Sequence, residues 1–133
     1  QAAVLNVKLP YIHEWTRKRQ KVAQAFREGL EGVEGIELPA FRLGSEHVFH
    51  VFGIKTEGRD ALMKYLKSKG IDSQIHYPRA MPFMPAYECV KAKKEDYPNA
   101  WELQEKELSL PIFPEVSLEI ISFICKHLHE YYK

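Results

Sequence analysis

Between Gly70 and Pro85 the chain runs GIDSQIHYPRAMPFMP. Ile71, Ser73, Ile75 and Tyr77 alternate with Asp72, Gln74 and His76, the period-two pattern of a strand with one covered face. Pro78, Pro82 and Pro85 then remove backbone donors and forbid further pairing. The segment therefore reads as a strand that stops abruptly, with an imidazole and a phenol side by side at its end and a stiff loop beyond. Binding chemistry concentrates at such junctions, because the regular element aims the side chains and the loop leaves them accessible.

Working outward, Gly70 closes a short helix over Arg59–Ser68, introduced by Thr56 and Gly58. Leu62 and Leu66 face inward one turn apart, with Ala61 and Tyr65 beside them. A further strand is predicted over His47–Thr56, where Val48, His50, Phe52 and Ile54 share one face and Phe49 and Val51 the other. Apolar residues on both faces imply a strand covered on both sides. Ile36–Phe41 reads as a short extended segment interrupted by Pro39, after Gly29, Gly32 and Gly35 break the helix before it. That helix carries one apolar stripe, Leu5, Leu9, Ile12, Trp15, Val22, Phe26 and Leu30, and should kink at Pro10. Residues Gln1 to Leu5 are already helical and apolar with no capping residue ahead, as in a helix entered partway along.

Downstream, Met81 to Asp96 reads as loop, and Pro98 suits the first turn of a helix to about Leu108 with Leu103 and Leu108 inward. Leu110–Pro114 is too proline-dense for a central strand and is expected as an extended buried connector. Ser117 caps a terminal helix whose seam is Leu118, Ile121, Cys125, Leu128 and Tyr132. The order helix, strand, strand, helix, strand, helix, helix predicts a single α+β domain over residues 1–133, a two-layer sandwich with a small, mostly antiparallel sheet covered by helices.

Bulk properties narrow the partners. The chain has 133 residues, 45% of them hydrophobic, which excludes a disordered reading. Nineteen Lys and Arg against 18 Asp and Glu leave no long-range field for nucleic acid or an anionic membrane. The cluster Arg17, Lys18, Arg19, Lys21 is taken as a solvated helix face. Cys89 and Cys125 lack a CxxC partner and read as two reduced thiols of a cytoplasmic protein. There is no signal-peptide pattern and no apolar run of membrane length.

The six histidines do not form a ligand set. His47 and His50 are three apart in a predicted strand and point to opposite faces, while His127 and His129 diverge by about half a turn on a helix. No metal site is expected, and no nucleophile elbow, Walker lysine loop or dinucleotide glycine fingerprint is present. What remains is His76 with Tyr77, flanked by Gln74, Arg79 and the loop Met81–Tyr87. Each ring both donates and accepts hydrogen bonds, which suits hydroxyls, carbonyls and phosphates. On the residues alone the pair is equally a pocket wall or a structural strand end.

Several segments taken in order resemble one family. They are Gln1–Leu5 with Val7, Lys8 and Leu9; His47–His50; Arg59, Asp60 and Leu62 with Lys69, Gly70 and Ile71; Ile75–Pro78; Pro85–Tyr87; and Leu108–Glu115. Together they are similar to the C-terminal part of the DegT/DnrJ/EryC1/StrS aminotransferases, which use pyridoxal phosphate on sugar nucleotides. The resemblance spans essentially the whole chain, with Pro10 a departure from the family pattern. It implies the small domain of a type I transferase, part of a homodimer, with the large domain absent. It further implies that His76 and Tyr77 line the sugar-nucleotide site, in several members from across the dimer.

The cofactor's Schiff-base lysine, its aspartate and most phosphate contacts are implied to lie upstream, so no catalytic or cofactor-binding residue is assigned in this chain. The chain alone is expected to be inactive and to hold no cofactor. The competing expectation is a free-standing α+β association or ligand-sensing module that lost catalysis.

Overall fold

The predicted kink at Pro10 is where the first helix divides. Helix α1 spans Ala2–Lys8, a single 3-10 turn Leu9–Tyr11 carries the proline, and α2 continues over Ile12–Leu30. The computed structural model describes residues 1–42 and 44–133. After α2 come β1 (Ile36–Glu37), β2 (Phe52–Thr56), α3 (Arg59–Ser68), α4 (Pro98–Lys106), β3 (Glu107–Leu110) and α5 (Leu118–Tyr131). The fold is α+β, as predicted.

Two compact units form. One comprises Gln1–Val33, Ala40–Phe52 and Pro111–Lys133, the other Glu34–Pro39 and Gly53–Leu110. In the first unit α2 packs on α5. Val22, Ala23, Phe26 and Leu30 are buried from one helix and Ile121, Ile124, Cys125 and Leu128 from the other. Phe26 stacks on Phe52 with ring centroids 5.2 Å apart, and full burial of such a ring contributes about 1.5–3 kcal/mol. Ser117 caps α5 as predicted, its Oγ accepting from the Ile120 N–H.

The apolar stripe behaves differently along its length. Its second half is core, but Leu5 and Leu9 are each 64% exposed and Ile12 is also exposed. On α5, Leu118 is exposed and Ile124 takes the seam position beside Ile121 and Cys125. Arg19 departs from the solvated-face reading. It is half-buried, and its Nη1 donates to the carbonyls of Phe49, His50 and Ile112 at 3.3, 3.4 and 2.9 Å, tying three loop peptides to α2.

In the second unit the sheet order is β1-β2-β3, with β1 antiparallel to β2 through Ile36↔Thr56 and Glu37↔Lys55. Ile54, Leu62, Leu66, Ile71, Leu108 and Leu110 are its buried aliphatics. Gly70 sits at φ +76°, a conformation open to glycine at little cost, and its N–H donates to the Lys67 carbonyl while that of Ile71 donates to Leu66. This Schellman closure turns the chain out of α3 with Leu66 and Ile71 both buried.

Three strand expectations need correction. The run Ile71–Tyr77 forms only one antiparallel bridge, Gln74↔Ser109, because Tyr77 takes a positive φ and the prolines follow at once. The strand predicted over His47–Thr56 begins at Phe52. Phe49 at φ +49° breaks the alternation, so that Phe49, Phe52 and Ile54 are buried while Val48 is exposed. The helix expected to reach Leu108 ends at Lys106, and Glu107–Leu110 is a strand that stops at Pro111; Leu103, predicted inward, is exposed.

A close approach in the first unit gives a test. A Cβ on Gly29 would lie 2.7 Å from Cys125 Sγ, and burial has pushed that thiol up to about 11. Gly29→Ala should lower the melting temperature by the equivalent of about 1–3 kcal/mol despite alanine's better helix propensity. In Gly29→Ala/Cys125→Ala the combined loss should be smaller than the sum of the two single losses, as measured by thermal denaturation.

Candidate functional site

Two backbone hydrogen bonds hold the His76–Tyr77 segment in place. Gln74 N–H donates to Ser109 O at 3.1 Å, and Ser109 N–H donates back to Gln74 O at 2.8 Å. Positions 76 and 107 each lie two residues from this bridge, on its two segments. At these two positions buried polar atoms lack partners: His76 Nδ1 and Glu107 Oε2. The other Glu107 oxygen accepts from the Ser109 hydroxyl. Gly53 makes room for this carboxylate, since a Cβ there would meet Glu107 Oε1 at 2.8 Å.

Tyr77 is the most exposed aromatic of the chain at 82% and sits at φ +57°. A left-handed conformation costs a non-glycine residue about 1–2 kcal/mol, so the surroundings impose it. The phenol is displayed rather than packed. His76 is half-buried beside it.

Beyond the pair, the predicted loop contains two 3-10 segments, Met81–Phe83 and Pro85–Val90, each with proline in its first turn. Its start is latched: the Ala80 N–H donates to Gln104 Oε1 at 2.9 Å, and the Gln104 carbonyl accepts from Arg59 Nη1. Phe83 packs edge-on against Trp101, with centroids 5.1 Å apart, and against Tyr97 at 6.2 Å. The loop lines an open, shallow cleft of about 380 Å³ whose lining includes Arg79, Phe83, Tyr87, Glu88 and Lys91.

Ion pairs hold α4, which carries Gln104. Lys55 Nζ lies 2.6 Å from Glu37 and 3.2 Å from Glu102, and Lys106 lies 2.6 Å from Glu57 and 3.3 Å from Glu102. Hydrogen bonds donated by Lys55 and then Lys106 lower the Glu102 pKa, and donating to Glu37 and then Glu102 raises that of Lys55, as donating to Glu57 and then Glu102 raises that of Lys106.

The other histidines have separate tasks. His47 Nδ1 accepts from the Phe49 N–H, and His129 Nε2 donates to the Gly29 carbonyl. Among the described residues no three His, Cys, Asp or Glu converge as a metal set, and no helix is long and apolar enough to cross a membrane. The sequence singles out His76 and Tyr77, flanked by Arg79, but not Gln104, Ser109 and Glu107, which the structure brings to this segment. Their only sequence signal was the alternation of Glu107 and Ser109 ahead of Pro111, which marks a strand end.

Solved sugar aminotransferases share this fold. The chain superposes on DesV of S. venezuelae, an X-ray structure in complex with a ketimine intermediate, with a TM-score of 0.94 and 32% identity, covering 100% of this chain and 36% of that one. The profile of the DegT/DnrJ/EryC1/StrS aminotransferase family matches residues 1–129, and the chain belongs to that family. Relatives include a pleiotropic regulatory protein of Geobacillus stearothermophilus, 33% identical over 100% of this chain and 36% of its own length. Another is the dTDP-3-amino-3,4,6-trideoxy-alpha-D-glucose transaminase of Streptomyces venezuelae, 36% identical over 87% of this chain and 31% of its own length. The chain spans about a third of the length of these relatives.

The latch and the ion pairs can be tested separately. Gln104→Leu should speed hydrogen exchange of the Ala80 amide about fivefold or more, the equivalent of one lost hydrogen bond of about 1 kcal/mol, with α3 amides unaffected. Because the folded Glu102 pKa lies below its ordinary value of 4.5, its stabilising contribution is present above that value and is lost as the pH falls through the folded one. Glu102→Gln should therefore flatten the acid limb of the stability profile in denaturant titrations while lowering stability at neutral pH.

Proposed function

We propose that residues 1–133 are the C-terminal small domain of a pyridoxal-phosphate-dependent aminotransferase that transfers an amino group from glutamate to a keto sugar nucleotide. The observation that carries this reading is the display of Tyr77, strained and exposed, beside an imidazole whose buried Nδ1 has no partner. Membership of an aminotransferase family supports the reaction class, and the dTDP-sugar relative supports the substrate class.

Pyridoxal phosphate supplies the electron sink that such transfers require. The lysines of this chain do not fit its attachment. Among the lysines of the described residues only Lys55 and Lys106 are half-buried, and both are paired to carboxylates that raise their pKa, the opposite of what a nucleophilic amine needs. The cofactor is therefore assigned to the part of the parent outside this chain, and the chain alone is inactive.

Within that parent, a cytoplasmic homodimer, His76 and Tyr77 bind and orient the sugar nucleotide. The Tyr77 phenol donates to a sugar or phosphate oxygen, and the imidazole offers a second donor or acceptor in a fixed place. Each bond holds the substrate by about 1–3 kcal/mol, which aligns the reacting carbon without moving a proton. In the full-length protein, His76→Ala and Tyr77→Phe should each raise KM for the keto sugar nucleotide about ten- to a hundredfold, with a smaller change in kcat. Unchanged steady-state constants in both variants would return the pair to a purely structural role.

A further inference from the structure

Tyr77 holds a conformation that its own side chain does not explain. Its φ of +57° lies in a region that disfavours a non-glycine residue about five- to thirtyfold, and Pro78 after it pushes it further toward extended backbone. Strain of this kind persists only where the surroundings over-determine it. The ring is 82% exposed, so packing of the phenol does not supply the constraint. Local pairing does not supply it either: among the described residues Ile75 to Arg79 make no backbone–backbone hydrogen bond. The constraint therefore comes from the two ends of the segment.

Both ends are anchored, three residues to either side of Tyr77. Before it, Gln74 exchanges two backbone hydrogen bonds with Ser109; after it, the Ala80 N–H donates to Gln104 Oε1 at 2.9 Å. The second anchor is a side chain, so it is only as firm as Gln104 itself. The Gln104 Nε2 donates to Glu105 Oε1 at 3.0 Å, which turns the amide oxygen toward Ala80. Its main-chain carbonyl lies in the last turn of α4, where intrahelical donors run out, and accepts from Arg59 Nη1 at 2.6 Å. The Arg59 side chain is only 15% exposed, a largely buried cation placed at the helix end that carries the latch.

We propose that Gln104 is a positioning residue for sugar-nucleotide binding: its amide oxygen holds Ala80 so that Tyr77 stays in the left-handed conformation that displays the phenol. The proposal rests on the substrate reading given above and extends it from the groups that touch substrate to one that does not. Without the latch Tyr77 relaxes toward extended backbone, and the apparent affinity falls with the fraction of molecules that still present the phenol. One neutral hydrogen bond supplies about fivefold of that bias, and the strain itself sets a ceiling of about thirtyfold.

The test is calorimetric titration of the full-length protein with dTDP-glucose and with UDP-glucose, each alone. Gln104→Leu should weaken whichever probe the wild type binds by about five- to thirtyfold at unchanged stoichiometry. A substitution that merely unfolded some of the molecules would lower the stoichiometry and leave the affinity. Gln104→Glu, which keeps an oxygen acceptor toward Ala80, should bind more tightly than Gln104→Leu. Glu105→Ala, which removes the neighbouring contact and spares the latch, should bind within about twofold of wild type. Tyr77→Phe should weaken the wild type more than it weakens Gln104→Leu, in which the phenol is already misplaced. In thermal denaturation without ligand, Tyr77→Gly should favour the wild-type background over Gln104→Leu, because glycine takes a positive φ freely and the second background has already shed the strain.

If Gln104→Leu binds within twofold of wild type, or if Tyr77→Gly shifts the melting temperature equally in both backgrounds, the proposal is overturned. The substrate reading survives either result where His76→Ala and Tyr77→Phe still raise KM. A wild-type protein that binds neither sugar nucleotide overturns both.

Discussion

The bridge between Gln74 and Ser109 is the contact on which the candidate site depends. Among the described residues, two backbone hydrogen bonds join the His76–Tyr77 segment to the sheet. The prolines that follow prevent the pairing from spreading. A longer strand would have turned Tyr77 into one more ladder residue. A single bridge lets the backbone swing into the left-handed region and present the phenol to the outside.

Around this point the second unit is built to keep a short, irregular segment in one conformation. The Schellman closure at Gly70 delivers the chain from α3 in a defined direction, with Leu66 and Ile71 buried at the turn. On the far side Gln104 receives the Ala80 N–H, and α4 is held by the carboxylate and lysine pairs that include Glu102. Neither anchor lies in the loop itself. The loop can therefore carry exposed groups without supplying its own stability.

The helical elements were largely legible in the residues, because their signals are local. Helix α3 was bounded by Gly58 and Gly70, Ser117 marked the start of α5, and Pro10 marked the break in the first helix. The strands were less legible. Glu107–Leu110 was hidden by the proline that follows it, and the alternation from His47 concealed a break at Phe49 that no propensity reports. Arg19 looked like one more surface cation, since nothing in its neighbours shows that three carbonyls from distant segments will meet its guanidinium.

By itself the sequence determined the α+β class and the family, because these follow from periodicity, turn chemistry and ordered motifs along the chain. Only the tertiary structure decided that the predicted strand is one bridge, that Glu107 occupies the space Gly53 leaves open, and that Gln104 latches the loop. It also brought Arg79, Tyr87 and Lys91 around one cleft. The physical reason is range: capping and alternation act over a few residues, whereas register, burial and the strain at Tyr77 are set by contacts between segments about thirty residues apart in the chain.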